Sequence, residues 1–225
     1  PTDVGPSDIQ SANGVIDLLA EDEAEAVAMS KKLLGYFQGR IAGHDCADQR
    51  KLRHIITEDR KRAYDMREAI KLIADTDTLL EIRSGYGAGM ITAFIRVQGQ
   101  PFGLIANNPA HLGGAIDAEA AEKAGRFLQL CDAFSLPVLS LCDTPGFMVG
   151  PEDEKNATVR RASSMLVAGA SLSVPVFMIW AYLIVKYART YGMTTVAIMV
   201  LMLQGEQLLN YPLFLALPLW FVYDY

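Results

Sequence analysis

A chain of 225 residues that is 51% hydrophobic and 20% charged can bury one sizeable core or two small ones, which excludes a disordered polypeptide. Its formal net charge of -6 argues against a nucleic-acid binder, which calls for a basic face. Cys46, Cys131 and Cys142 are odd in number and match no metal or disulfide spacing, so they read as buried, reduced thiols of a cytosol-like compartment.

Residues 1–14, rich in Gly, Pro, Ser and Asn, read as loop. The chain opens Pro1-Thr2-Asp3 with no charged-then-apolar leader, and is expected to be an internal piece of a longer protein. Residues 17–38 read as a helix, with Glu21, Asp22 and Glu23 suiting its positive end and Leu33, Leu34, Tyr36 and Phe37 following. Residues 39–43 look like a boundary. In the polar stretch that follows, Arg50, Lys51, Arg53, Arg60, Lys61 and Arg62 read as a solvated face rather than a nucleic-acid patch. Residues 65–74 read as a second helix.

From here the pattern turns to strands. Residues 90–98 are β-rich, Gln98-Gly99-Gln100-Pro101 is a turn, and residues 102–106 form a second strand broken by Asn107-Asn108-Pro109. Asp117 can cap a helix running to about Phe134, with Ala121, Ala124, Phe127, Leu128 and Cys131 on one face. Residues 137–142 are an apolar strand, residues 157–169 a helix and residues 175–179 another apolar strand. Strands alternating with helices predict βαβ units and a parallel sheet covered on both faces, with Ile105, Val138, Leu141 and Phe177 in one core. Ligands bind at the carboxyl ends of such strands, which singles out residues 107–114 and 143–150.

Of the 20 basic and 26 acidic residues, only Lys186, Arg189, Glu206 and Asp224 lie beyond residue 163. The uncharged run 163–185 is long enough to cross a bilayer, and residues 197–223 are a second such candidate. Pro175 near the middle of the first run, with Ser163, Ser164, Gly169, Ser171 and Ser173, favours a buried helix followed by a buried strand.

Few motifs carry chemistry by themselves. Gly113-Gly114 precede a helix, where they let backbone N–H groups approach a ligand and leave a helix N-terminus open to developing negative charge, or serve only a tight turn. Asp143-Thr144-Pro145-Gly146-Phe147 follows a buried strand. Its Pro-Gly turn with an aromatic at the tip can wall a cleft or be an ordinary loop. His44, His54 and His111 make no metal pattern, and Ser140, Ser163 and Ser164 lack a Gly-x-Ser-x-Gly frame. Neither a phosphate-loop lysine nor a dinucleotide fingerprint is present.

Taken in order, however, several stretches resemble the beta-type carboxyltransferase subunits of biotin-dependent acyl-CoA carboxylases, such as the propionyl-CoA carboxylase beta chain. They begin with Ala63-Tyr64-Asp65-Met66-Arg67-Glu68-Ala69-Ile70, Glu81, Tyr86-Gly87, Thr92, Arg96-Val97 and Gly99. Ala106-Asn107-Asn108-Pro109, Gly113 or Gly114, Lys123-Ala124-Gly125-Arg126-Phe127 and Cys131-Asp132-Ala133-Phe134 follow. Pro137, Asp143-Thr144-Pro145-Gly146-Phe147-Met148, Gly150, Glu154 and Arg160 complete the set, which covers about residues 60–179. Residues 13–37 look more loosely like the tail of a preceding domain.

The resemblance implies an α/β fold of the crotonase-like (ClpP/crotonase) ββα spiral. Residues 1–39 would be the tail of the N-terminal carboxyltransferase domain, and residues 40–225 the C-terminal domain, incomplete and divergent after 180. It implies transfer of a carboxyl group from carboxybiotin to the α-carbon of an acyl-CoA. Amide donors stabilise the enolates, and the biotin enolate itself takes the α-proton, so no side-chain acid or base is needed. Biotin would arrive on a carrier domain of a biotin carboxylase/biotin carboxyl carrier partner, and the chain would form a homo-oligomer, a hexamer. No metal, nucleic acid or membrane is implied, and the compartment is the cytoplasm or mitochondrial matrix. Asn107, Gly113, Gly114, Asp143, Pro145, Gly146 and Phe147 map to the biotin site. After Val176-Phe177-Met178-Ile179 the family continues with Arg-Lys-x-Tyr-Gly, whereas the nearest match here, Arg189-Thr190-Tyr191-Gly192, comes seven residues late. That displaced motif makes Gly192, Met193 and Thr194 the candidate oxyanion-hole donors. Two alternatives share the scaffold: a biotin-dependent acyl-CoA decarboxylase subunit and a non-catalytic assembly module.

Overall fold

The computed structural model describes residues 4–55 and 63–180. Its centre is a tight hairpin, β2 (Met90–Val97) and β3 (Gln100–Asn107), paired in full antiparallel register from Met90↔Asn107 to Val97↔Gln100. The turn is two residues, Gln98 at φ 52° and Gly99 at φ 76°, both left-handed as a turn matching the strand twist requires. A carboxylate pins it: Asp75 accepts the N–H of Gln98 at 2.9 Å and of Gly99 at 2.7 Å.

A short strand β1 (Leu80–Ile82), not legible in the sequence, adds antiparallel to β2. Beyond β3, the crossover helices α4 (Ala118–Ala133) and α6 (Thr158–Ala170) return the chain to β4 (Val138–Cys142) and β5 (Val176–Trp180), which are parallel. (In chain order the other helices are α1, Ser7–Ala12; α2, Glu23–Tyr36; α3, Met66–Ile73; and α5, Pro151–Lys155.) The five-stranded sheet, in order β1-β2-β3-β4-β5, is therefore mixed rather than parallel. A two-residue turn can join only antiparallel neighbours, and a helical crossover gives parallel ones.

Alternation along the strands divides the core in two. Ile91, Ala93, Ile95, Phe102, Leu104, Leu139, Leu141 and Ile179 face α3 and Leu52, with Phe177 packed against them. Phe94, Val138, Phe127, Leu128 and Cys131 form the other layer, under α2 and α4, where Ile105 also packs. Ile105, Val138, Leu141 and Phe177 thus do not share one core, because Val138 and Leu141 stand an odd number of positions apart and point to opposite faces.

Capping residues set the helix limits. Asp22 accepts the N–H of Glu25 at 2.8 Å and starts α2 six residues later than the sequence suggests, while the expected loop at the N-terminus contains α1. Asp117 caps α4 as read, and Asp65, read as the first residue of its helix, is the cap of α3. The buried Arg96 docks the end of α2, donating to the carbonyls of Gly35 (2.6 Å) and Gly39 (2.9 Å) and to Gly99 (2.6 Å). Carbonyls at this negative end of a helix are the ones it leaves unpaired.

As far as residue 180, the uncharged run from residue 163 is divided between α6 and β5, and among the described residues no helix is long and apolar enough to cross a membrane. Residues 197–223, and Arg60, Lys61 and Arg62, lie outside the described residues. The cysteines are free, but they differ from one another. Burial pushes the Cys131 thiol up to about 12 and raises that of the half-buried Cys142, whereas Cys46 is exposed.

Leu141 is fully buried between β3 and β5. Leu141→Ala is expected to cost about 2–5 kcal/mol in a denaturant melt, the range for an aliphatic cavity. A change within the error of the measurement would show that this strand is misplaced.

Candidate functional site

Parallel pairing makes β3 and β4 end at the same edge, with Ala106 opposite Leu141. The two segments singled out in the sequence, residues 107–114 and 143–150, therefore leave the sheet side by side. Asn107, buried at the end of β3, joins them: its Oδ1 accepts the N–H of Asp143 at 3.1 Å, and its Nδ2 donates to the Gly114 carbonyl at 3.4 Å. One amide side chain thus serves both loops, using its acceptor for one and its donor for the other.

The approach is tightest at Gly114. Its φ is 84°, and a Cβ built there would run into the carbonyl of Asp143. Farther out, Ile116 and Phe147 form a β-bridge: the Ile116 N–H donates to Gly146 at 2.9 Å, and the Met148 N–H donates to Ile116 at 2.9 Å. A residue paired in this way turns its own N–H and carbonyl to the other side, so Phe147 presents both away from Ile116. Gly146 sits at φ 126°, with its N–H held by Thr144 Oγ1 at 3.0 Å. Pro145 is exposed and the Phe147 side chain is 39% exposed, so the ring is not buried as a core plug.

One partner could not be read from the sequence. Tyr64 donates its hydroxyl to Asp143 Oδ2 at 2.6 Å from 79 residues away. Burial, and then that hydrogen bond, hold the Tyr64 hydroxyl far above the usual phenol range, so it stays a donor. Asp143 is accordingly an engaged carboxylate.

Asn107, Gly114, Asp143, Gly146 and Phe147 are thus brought into one joined pair of loops. Gly113 lies at its outer edge with open space around it, and Pro145 at its tip. Gly192, Met193 and Thr194 lie outside the described residues. The expectation that Gly113-Gly114 leave a helix N-terminus open is corrected. Three residues separate Gly114 from α4, and Asp117 already occupies that end, accepting the Ala120 N–H at 2.8 Å with its other oxygen 3.3 Å from His111 Nε2. Among the described residues, no group of three His, Cys, Asp or Glu could hold a metal ion.

Residues 2–200 match the carboxyl transferase domain family. The chain is 34% identical over 171 residues to the methylmalonyl-CoA carboxyltransferase 12S subunit of Propionibacterium freudenreichii subsp. shermanii, covering 72% of this chain and 33% of that protein. It is 35% identical over 175 residues to the biotin-dependent acetyl-/propionyl-coenzyme A carboxylase beta6 subunit of Mycobacterium tuberculosis, covering 76% of this chain and 37% of the relative. The chain thus spans about a third of the length of these curated relatives.

Among solved structures, a single-chain, multi-domain long-chain acyl-CoA carboxylase superposes with a TM-score of 0.78 at 55% identity, covering 80% of this chain and 18% of that one. The transcarboxylase 12S hexamer with methylmalonyl-coenzyme A bound gives 0.72 at 33% identity, covering 78% and 36%. The crotonase-like α/β fold expected from the sequence is the fold of this chain.

The neighbouring glycines separate the close approach from mere turn geometry. Gly114→Ala is expected to destabilise by about 3 kcal/mol or more, combining a left-handed backbone with a steric clash, and Gly113→Ala by only about 1 kcal/mol. Equal losses in paired denaturant melts would show that the two loops do not touch at Gly114.

Proposed function

The chain belongs to the carboxyl transferase domain family, and on that premise we propose that it is the biotin-side domain of a biotin-dependent acyl-CoA carboxyltransferase. The reaction is transfer of a carboxyl group from carboxybiotin to the α-carbon of an acyl-CoA. The observation that supports it most is the joining of residues 107–114 to 143–150 at the carboxyl ends of β3 and β4, where open sheets bind ligands. Biotin, carried on a partner's carrier domain, supplies the activated carboxyl group.

The residues present suit a flat bicyclic urea. Phe147 offers a half-exposed aromatic face, and its main chain, turned away from Ile116, offers one donor and one acceptor. Asn107 fixes the distance between the two loops, and Thr144 holds the Pro145-Gly146 turn. Tyr64 occupies the Asp143 carboxylate, which suits a reaction in which no side chain serves as general base. In this reading Gly192, Met193 and Thr194 supply the amide donors to the developing oxyanion.

Residues 1–39 are then the tail of a preceding domain that holds the acyl-CoA, and residues 40–225 the biotin-side domain. Assembly into a hexamer, the form taken by the transcarboxylase 12S neighbour, and a biotin carboxylase/biotin carboxyl carrier partner complete the enzyme. The compartment is the cytoplasm.

Two outcomes test this. In the assembled enzyme, Phe147→Ala should raise the KM for free biotin about tenfold, the scale of one lost aromatic contact, and leave the acyl-CoA KM and the melting temperature unchanged. Unaltered biotin kinetics with a large loss of thermal stability would assign Phe147 to packing. The chain alone, given carboxybiotin, should not carboxylate propionyl-CoA or acetyl-CoA, and turnover by it would refute the division of the site between domains.

A further inference from the structure

We propose that a cavity between β1, β2 and α4 binds one small oxyanion, of carbonate to phosphate size, through Arg83, Lys123 and Arg126. The cavity measures about 100 Å³, and Asp17, Thr92 and Phe127 also line it. It does not involve the residues assigned to biotin, and the inference does not rest on the carboxyltransferase reading.

Three observations converge on it. Arg83 is buried, yet its backbone sits at φ 55°, an uncommon conformation for a long side chain. It is held there by its N–H, which donates to the Asp17 carbonyl at 2.8 Å. Its Nη2 has no hydrogen-bond partner among the described residues, and its Nε lies 2.6 Å from Asp17 Oδ1 without being aligned to donate. A buried guanidinium donor without an acceptor is expensive, and a charge-assisted bond to an anion relieves that cost.

Lys123 is 1% exposed, and its ammonium spends one of three donors on the Tyr86 carbonyl at 2.8 Å. Burial above all holds it below the usual lysine range, at about 8; Glu81 opposes the shift, and Arg67 and Arg83 add to it. Its remaining donors need acceptors.

The charges around the cavity do not balance. Asp17, half-exposed, is the one carboxylate among the lining residues, facing Arg83 and, at 3.7 Å, Arg126. The neighbouring carboxylates are engaged elsewhere. Glu81 takes two hydrogen bonds from Arg67, at 2.8 and 2.7 Å, and Glu122 is held by Arg161 at 3.0 Å and by Tyr86 at 3.2 Å. Three cations thus face one carboxylate around a space that one tetrahedral or trigonal oxyanion can fill. Ordered water is the competing occupant, since it too can accept these donors.

The test is calorimetric titration and thermal melting of the full chain with sodium phosphate, bicarbonate and sulfate, against sodium chloride at matched ionic strength. Saturable binding heat is expected, with a melting temperature that rises with the logarithm of the ligand concentration above Kd. Arg126→Gln alters an exposed side chain, so folding is not at stake, and should weaken phosphate binding about fivefold or more. Asp17→Asn, which removes the competing carboxylate, should tighten it severalfold. The tighter of phosphate and bicarbonate identifies the natural ligand. A melting temperature that climbs equally in the wild type and in Arg126→Gln, with no saturable binding heat, is general salt stabilisation and overturns the proposal. So does the absence of any binding heat at millimolar phosphate.

Discussion

The constraint on which the site edge of the sheet depends is the contact between Gly114 and the carbonyl of Asp143, bridged by the Asn107 side chain. No side chain fits between the two backbones, so the loops that follow β3 and β4 are held as one unit. Everything at that edge of the sheet inherits its position from this contact. The Ile116–Phe147 bridge continues it outward, Gly146 and Thr144 shape the turn, and Tyr64 anchors Asp143 from the α3 side. A hydrogen bond of this kind contributes about 1 kcal/mol, so several together give loops a rigidity that isolated turns lack. Ordering of this sort is what a binding surface requires before a ligand arrives.

Buried charge does the corresponding work at the opposite end of the hairpin. Asp75 receives both N–H groups of the turn, and Arg96 donates to the Gly35 carbonyl in the last turn of α2 while lying 5.4 Å from the centre of the Tyr36 ring. An ion taken out of water costs several kcal/mol unless its donors are filled. Arg96 meets that requirement with three carbonyls, and in doing so ties the N-terminal segment to the sheet. Arg83 and Lys123 do not meet it with protein groups alone, and that contrast between similarly buried cations draws attention to their cavity.

Much of the fold was legible because its signals are local. Asp117 announced its helix by capping, β4 and β5 stood out as apolar runs, and the Gln98-Gly99 turn marked the hairpin. β1 was missed because three residues are too few for a period, and α1 because its polar residues carry no apolar face. The start of α2 was misplaced because an acidic run does not reveal which member acts as the cap; Asp22 does. At the candidate site, residues 107–114 and 143–150 were identifiable from their place after strands, but the helix-terminus argument at Gly113-Gly114 failed. Asp117, three residues beyond Gly114, is itself the group that fills the positive end of α4.

By itself, the sequence determined the order of β2 to β5 and of the helices α2, α3, α4 and α6, the family, and which loops follow the central strands, since each is written in contiguous residues and their spacing. Only the tertiary structure decided that Val138 and Leu141 face different cores, that Tyr64 meets Asp143, and that Arg83, Lys123 and Arg126 surround one cavity. Those facts depend on sheet register and on how the crossover helices lie over it. Neither is encoded locally, because a shift of one residue in register would turn every side chain of a strand to the other face.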